Sequence, residues 1–140
     1  MTIRYAILIF VGLLTALPAA SPQRDARSDN FALVDAEGNI HKPAGYRDVY
    51  QVLGAYTPVD LNNETQMHYT YASPGAAEYY RKNGKFADGT VLVKQVFATD
   101  HAKMTTGDAH WATETLVWFI MIKDDKGRYP GNPLWGDGWG

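Results

Sequence analysis

Cysteine is missing from all 140 positions of this sequence. The chain can therefore form no disulfide, and a hydrophobic core or a ligand must hold its fold together. Aromatic residues are plentiful by contrast, with nine tyrosines and four tryptophans. At this length and apolar content we expect one domain with one core.

The chain also lacks an excess of positive charge, since 13 basic residues face 15 acidic ones and the formal net charge is −2. A mildly acidic chain without a basic patch gives no reason to expect a nucleic-acid partner. There is no Gly-rich phosphate loop, nucleophile elbow or kinase-like motif set. The sequence therefore gives no support for serine-hydrolase or kinase-like catalysis.

Only one long apolar run occurs, at residues 5–17, with Arg4 before it and small residues after it. This order is typical of a secretory signal peptide, which we assign to residues 1–20 and which predicts a periplasmic or secreted protein. An uncleaved anchor is the alternative, but the run is shorter than the roughly 20 residues that span a bilayer. Residues 21–40 are polar and irregular and predict a flexible lead-in to a domain over residues 41–140.

Strand patterns dominate that domain. Residues 66–72 and 90–97 are rich in β-branched and aromatic side chains, and residues 31–34 are a weaker strand candidate. Residues 116–122 are apolar at every position, which predicts a central strand covered on both faces. Residues 100–113, rich in small and polar side chains, are expected to form a loop.

One helix is clearly indicated between these strands. Ser73 has the chemistry of an N-cap, Pro74 suits the first helical position, and Gly84 is a natural C-terminal stop. Several strands with a single clear helix predict an α+β fold, with an antiparallel β-sheet and the helix packed on it.

Lys94 is the most informative single residue, because it lies in a strand with apolar side chains on both faces. Strand alternation places it beside Leu92 and Val96, with Val93 and Gln95 on the other face. An ammonium there is costly unless it is paired, reaches water or is used chemically. A lysine that reaches solvent is the simpler interpretation, and a functional amine facing a pocket is the alternative.

Aromatic side chains could wall such a pocket. Tyr69 and Tyr71 share one strand face, and Trp118 lies in the apolar run. We name these three residues, with Lys94, as candidate cofactor-binding residues, although rings of this kind more often belong to a core.

The histidines are less informative. None of the four has the spacing of a helical metal pair. His101 follows Asp100, and His110 lies two residues after Asp108, so a metal-binding loop is one interpretation. A solvated polar loop explains the same residues, and we predict no metal site.

Several segments of the sequence, taken in their order along the chain, resemble the cytochrome P-460 family. The closest match is the K-x-G-x-F-x-D-G-T-V-x-V-K stretch of residues 82–94, which ends at Lys94. It is preceded by Gly45-Tyr46-Arg47-Asp48 and followed by Gly131-Asn132-Pro133-Leu134-Trp135-Gly136-Asp137-Gly138-Trp139-Gly140. The similarity extends from about residue 41 to residue 140.

This resemblance implies a periplasmic c-type haem protein that oxidises hydroxylamine, or that binds or converts nitric oxide. It implies that Lys94 is cross-linked to the haem edge, that a cytochrome can accept electrons, and that a homodimer can form. The family's haem-attachment motif, C-x-x-C-H, is absent because the chain has no cysteine. We therefore expect the domain to be incomplete at its C-terminus. The alternative is a haem-free, non-catalytic binding or structural domain on the same scaffold, or a truncated product without function.

Overall fold

The computed structural model of the chain describes residues 28–140. The predicted signal peptide at residues 1–20 lies outside the described residues, as do residues 21–27. Within residues 28–140, no helix is long and apolar enough to cross a membrane.

A four-stranded antiparallel sheet forms the centre of the fold. Its strands are β1 (Gln51–Tyr56), β2 (Gln66–Ala72), β3 (Val91–Met104) and β4 (Gly107–Ile122), and they lie side by side in sequence order. The helices are a 3₁₀ helix (Ser28–Leu33), a single-turn α1 (Tyr46–Val49) and the longer α2 (Ala76–Asn83). The predicted α+β class, with an antiparallel sheet and one clear helix, is confirmed.

Helix α2 ends where predicted but begins differently. Gly84 adopts φ 70° and its N–H donates to the Tyr80 carbonyl, 2.8 Å away, which is a left-handed C-cap that favours glycine. The predicted N-cap at Ser73 is wrong, because Gly75 precedes the first helical residue. The Ser73 hydroxyl instead accepts the N–H of Val91, 3.1 Å away, and so ties the entry to α2 onto β3.

The loop predicted at residues 100–113 is also wrong, because β3 and β4 continue through it as one long hairpin. Their pairing runs from Val91 opposite Ile122 to Met104 opposite Gly107, with irregularities around Phe97. Gly107, with φ 116°, follows the two-residue connection. Cross-strand contacts thus override the weak strand propensity of the small and polar residues in this segment.

Strand β4 lies at an edge of the described sheet, so the prediction of a central strand covered on both faces is wrong. Leu116, Val117 and Phe119 are 49%, 40% and 51% exposed. Only the end of β4 meets a further segment on its outer side, where Ile122 and Gly140 exchange both backbone hydrogen bonds at 2.9 Å.

The hydrophobic core covers one face of the sheet. Val91, Val93 and Ile122 are fully buried there beneath the ring of Tyr46. Part of the predicted lead-in covers this face as well, through side chains of the segment 31–40. Residues 31–34 were predicted as a strand; residues 31–33 belong instead to the 3₁₀ helix, and Val34 makes one isolated bridge to Ile40.

Candidate functional site

The sheet face opposite the core carries Lys94. Strand register places three pairs on this face, with a β3 residue opposite a β4 residue in each: Leu92 with Met121, Lys94 with Phe119, and Val96 with Val117. Residues directly opposite in antiparallel strands point to the same side of the sheet. We call these six residues the Lys94 face.

The Lys94 face is apolar, and its β4 half is open, whereas Val96 on β3 is buried. Met121 is 43% exposed, and Val117 and Phe119 are exposed to a similar degree. The neighbouring positions on the same strands, Val93 and Ile122, are fully buried on the core side. Contiguous apolar side chains left open to solvent commonly mark a site for a ligand or partner.

The Lys94 side chain is half-buried and rests on its cross-strand neighbour. Its Nζ lies 4.3 Å from the centre of the Phe119 ring, within the range of a cation–π interaction. Among residues 28–140, no carboxylate forms an ion pair with it. The amine is therefore held over an aromatic ring rather than neutralised by an acid.

His68 stands on the same side of the sheet, since it lies two residues from Thr70, the β2 partner of Lys94. Its Nε2 is 3.0 Å from the Gln66 side-chain oxygen and its Nδ1 is 3.1 Å from the Tyr56 hydroxyl. A carbonyl oxygen can only accept, so Nε2 carries the proton and Nδ1 accepts from Tyr56. Burial and, to a lesser extent, the positive charge of Lys94 lower the pKa of His68, which favours the neutral imidazole.

A buried polar cluster lies directly behind Lys94, on the core face. The Gln95 side chain is fully buried, and its oxygen accepts from the Tyr46 hydroxyl at 2.5 Å and from Arg47 Nε at 3.0 Å. Its amide nitrogen donates to Thr115 Oγ1 at 2.6 Å. The Trp118 indole N–H in turn donates to the Tyr46 hydroxyl at 3.0 Å. These bonds join β3, β4 and α1 and fix the strand that carries Lys94.

The structure does not bring Tyr69, Tyr71 and Trp118 to the side of Lys94. Strand register places all three on the core face. The Tyr71 ring packs edge-on against Tyr46, with ring centres 5.2 Å apart, and Trp118 belongs to the cluster around Gln95. Tyr69 and Tyr71 share a face, as strand alternation indicated. A role for these three rings as pocket walls stays a prediction.

Several residues of this site were missed at the level of sequence. Phe119 and Met121 join Lys94 only through the register of β3 and β4, which local patterns do not specify. Gln95 was placed on the face opposite Lys94, but its partners are residues 46, 47 and 115. A polar residue inside a β-branched run was the one signal that could have indicated a buried hydrogen-bond cluster.

Within residues 28–140, no group of three or more His, Cys, Asp or Glu side chains is arranged to hold a metal ion. The distinctive chemistry on this side of the sheet is one amine on the Lys94 face and one neutral imidazole, His68, on the neighbouring strand β2. Such an apolar surface suits a flat, largely apolar group better than a bare ion.

A twisted antiparallel sheet with a filled core on one side and an amine-bearing apolar face on the other defines an α+β cofactor- or ligand-binding domain. The model of the family described as Cytochrome P460 matches residues 43–140, and the chain belongs to that family. This is a family of haem proteins that are in general periplasmic, so membership implies that the domain binds haem. No curated protein matches the chain significantly.

The described residues fit such a group on the Lys94 face. A haem presents two broad apolar surfaces. The Lys94 face offers exposed apolar side chains to cover one of them, namely Val117, Met121 and Phe119. The central side chains of the core face, Val91, Val93 and Ile122, are by contrast already covered.

Proposed function

We propose that this chain is an exported haem protein whose haem lies against the Lys94 face. The observation that carries the proposal is the contrast between the two sides of strands β3 and β4. One side is packed into a core, whereas the other exposes Phe119, Met121 and Val117 around a lysine. Covering this surface with an apolar cofactor is favourable at roughly 25 cal/mol for each Å² removed from water.

Lys94 would lie at the edge or over the surface of the macrocycle. Its Nζ already rests 4.3 Å from the centre of the Phe119 ring, which limits the positions that the amine can reach. In the hydroxylamine-oxidising members of the family this lysine is linked covalently to the haem edge, and we carry that role over to Lys94. Such a link would replace one N–H bond of the neutral amine and one C–H bond at the macrocycle edge by a C–N bond, with the two protons and two electrons passing to an oxidant such as a peroxide. It would also remove the cost of burying an ammonium.

His68 would contribute a neutral imidazole near the same surface. Tyr56 and Gln66 hold its ring through both nitrogens, so its orientation is fixed before any ligand binds. Because both ring nitrogens are already hydrogen-bonded, His68 would act as a fixed, neutral polar group near the amine rather than as its proton acceptor.

When bound, haem supplies the redox chemistry, and hydroxylamine or nitric oxide is the small nitrogen species that the family relationship favours as substrate or ligand. Oxidation of hydroxylamine would require an electron acceptor, for which another cytochrome is suited. A homodimer is also part of this proposal. The chain itself provides the apolar cover, the amine and the imidazole.

A second candidate is a haem-free binding domain on the same scaffold. The observation that favours it is the absence of cysteine, since thioether attachment of a c-type haem needs that residue. This candidate predicts that the Lys94 face takes another apolar ligand or partner, and that haem binds no more tightly than to an unrelated surface.

A haem titration with face-specific variants separates the two candidates. The purified chain is titrated with hemin and the Soret band is followed. Phe119→Ala should weaken binding by roughly tenfold, because about half of a phenylalanine side chain, worth roughly 1–1.5 kcal/mol, remains to be covered. Leu61→Ala is the matched control, because Leu61 is fully exposed at 106% and lies in the β1–β2 connection. Equal affinities of the two variants would contradict the proposed site.

Export is tested separately by mass spectrometry. A chain recovered from the periplasm should be shorter by about 20 residues, in keeping with removal of a signal peptide. An intact chain in the membrane fraction would contradict the proposed location.

A further inference from the structure

The β3–β4 hairpin projects beyond the rest of the sheet. Its pairing with β2 ends at Ala98, whereas pairing between β3 and β4 continues to Met104 and Gly107. The outer part, from Thr99 to Ala112, is a two-stranded ribbon whose side chains are mostly exposed. Neither the core nor the Lys94 face uses this ribbon.

Two histidines face each other on the ribbon. His101 lies directly opposite His110, and their rings stack with centres 5.3 Å apart and planes 19° from parallel. The His101 backbone N–H donates to Asp100 Oδ1 at 2.7 Å, so this N–H points away from β4. The pair therefore belongs to the closer, non-hydrogen-bonded type of cross-strand position.

The surroundings suit a bound cation. Both imidazoles are exposed, so water can complete the coordination of an ion held between them. Asp108 lies two residues from His110 on the same side of β4, but Lys103 stands opposite it, and within residues 28–140 no third His, Cys, Asp or Glu side chain completes a metal-binding group with the pair. Two adjacent imidazoles with solvent access are a ligand set that first-row transition metals accept, with Cu²⁺ bound most tightly.

We infer that His101 and His110 form a two-imidazole site for a divalent transition-metal ion, preferentially Cu²⁺. The rings need only tilt towards each other to bring one nitrogen of each within about 2.0–2.1 Å of a shared ion. The ion would bridge β3 and β4 beyond the last residue that pairs with β2, Ala98. Its binding would thus stiffen the hairpin, and it involves no residue of the proposed haem face.

The test is titration of the purified chain, without a polyhistidine tag, with CuCl₂. Affinity is measured by calorimetry and the ligands by electron paramagnetic resonance. The unsubstituted chain should give one site with hyperfine coupling to two imidazole nitrogens. His101→Ala and His110→Ala should each weaken binding at least about tenfold, or about 1.4 kcal/mol, and leave coupling to one nitrogen.

His41→Ala is the matched control. His41 is also an exposed histidine, but its Nε2 lies 3.5 Å from Asp35 Oδ2, and within residues 28–140 its ring stacks on no other histidine. Its replacement should leave affinity and spectrum unchanged. The inference is overturned if the double variant His101→Ala/His110→Ala binds copper as the unsubstituted chain does, or if the unsubstituted chain shows no coupling to two nitrogens. Circular dichroism of each variant establishes that the sheet is retained.

Discussion

Replacement of Gln95 by leucine should destabilise the domain more than any similar change on its surface. Leucine has nearly the size of glutamine but makes no hydrogen bond, so the variant leaves the Tyr46 hydroxyl, Arg47 Nε and Thr115 hydroxyl each short of a partner. Gln95 is fully buried, and water cannot easily replace its amide. The two bonds to the Tyr46 and Thr115 hydroxyls are each worth about 1 kcal/mol, and the bond to Arg47 adds less than its full value because water can partly solvate the guanidinium. The free energy of unfolding should therefore fall by about 2–4 kcal/mol.

The measurement is thermal unfolding followed by circular dichroism. For a domain of this size a loss of 1 kcal/mol lowers Tm by roughly 4 °C, so Gln95→Leu should lower Tm by roughly 8–16 °C. Gln51→Leu makes the same chemical change at an exposed position of β1 and should alter stability by less than about 0.5 kcal/mol. Equal Tm values for the two variants would refute the argument that the buried cluster behind Lys94 stabilises the fold.

Two further predictions concern charge. Lys94→Gln should raise the pKa of His68, because it removes a positive charge that opposes protonation of the imidazole. The pKa is measured by NMR titration of the histidine, with Lys103→Gln as the control. An unchanged pKa of His68 would refute its assigned proximity to Lys94. Hydrogen bonding to Arg128 lowers the pKa of Asp88 below its ordinary value of about 3.9, so this pair stabilises the fold above that pH and its contribution fades as the pH falls below it. Urea unfolding between pH 3 and pH 7 should show a smaller acid-induced loss of stability for Asp88→Asn than for the unsubstituted chain. Identical dependence of stability on pH in the two proteins would contradict this role of the pair.

Local patterns predicted the fold class and the ends of some elements. Alternation identified the two faces of β3, and Gly84 stopped α2 because a left-handed residue is required there. The pattern failed where distant partners decide the outcome. Residues 116–122 are apolar at every position, yet their strand lies at an edge of the described sheet, and the apolar excess is exposed on the Lys94 face.

The composition of the site depends on register in the same way. Lys94 could be singled out from its own strand, but its neighbours Phe119 and His68 come from β4 and β2 and are 25 and 26 residues away along the chain. A shift of one residue in either pairing would have brought the opposite face of that strand to Lys94. The aromatic residues named from sequence, Tyr69, Tyr71 and Trp118, lie on that opposite face.

The most direct test of the haem proposal is methyl NMR of the chain titrated with hemin. Paramagnetic broadening should affect the methyl groups of the Lys94 face, Leu92, Val117 and Met121, and spare those of Val91 and Val93 in the core. The two sets alternate along the same strands, so each serves as the control for the other. Broadening confined to the core methyl groups, or no broadening at saturating hemin, would contradict the account.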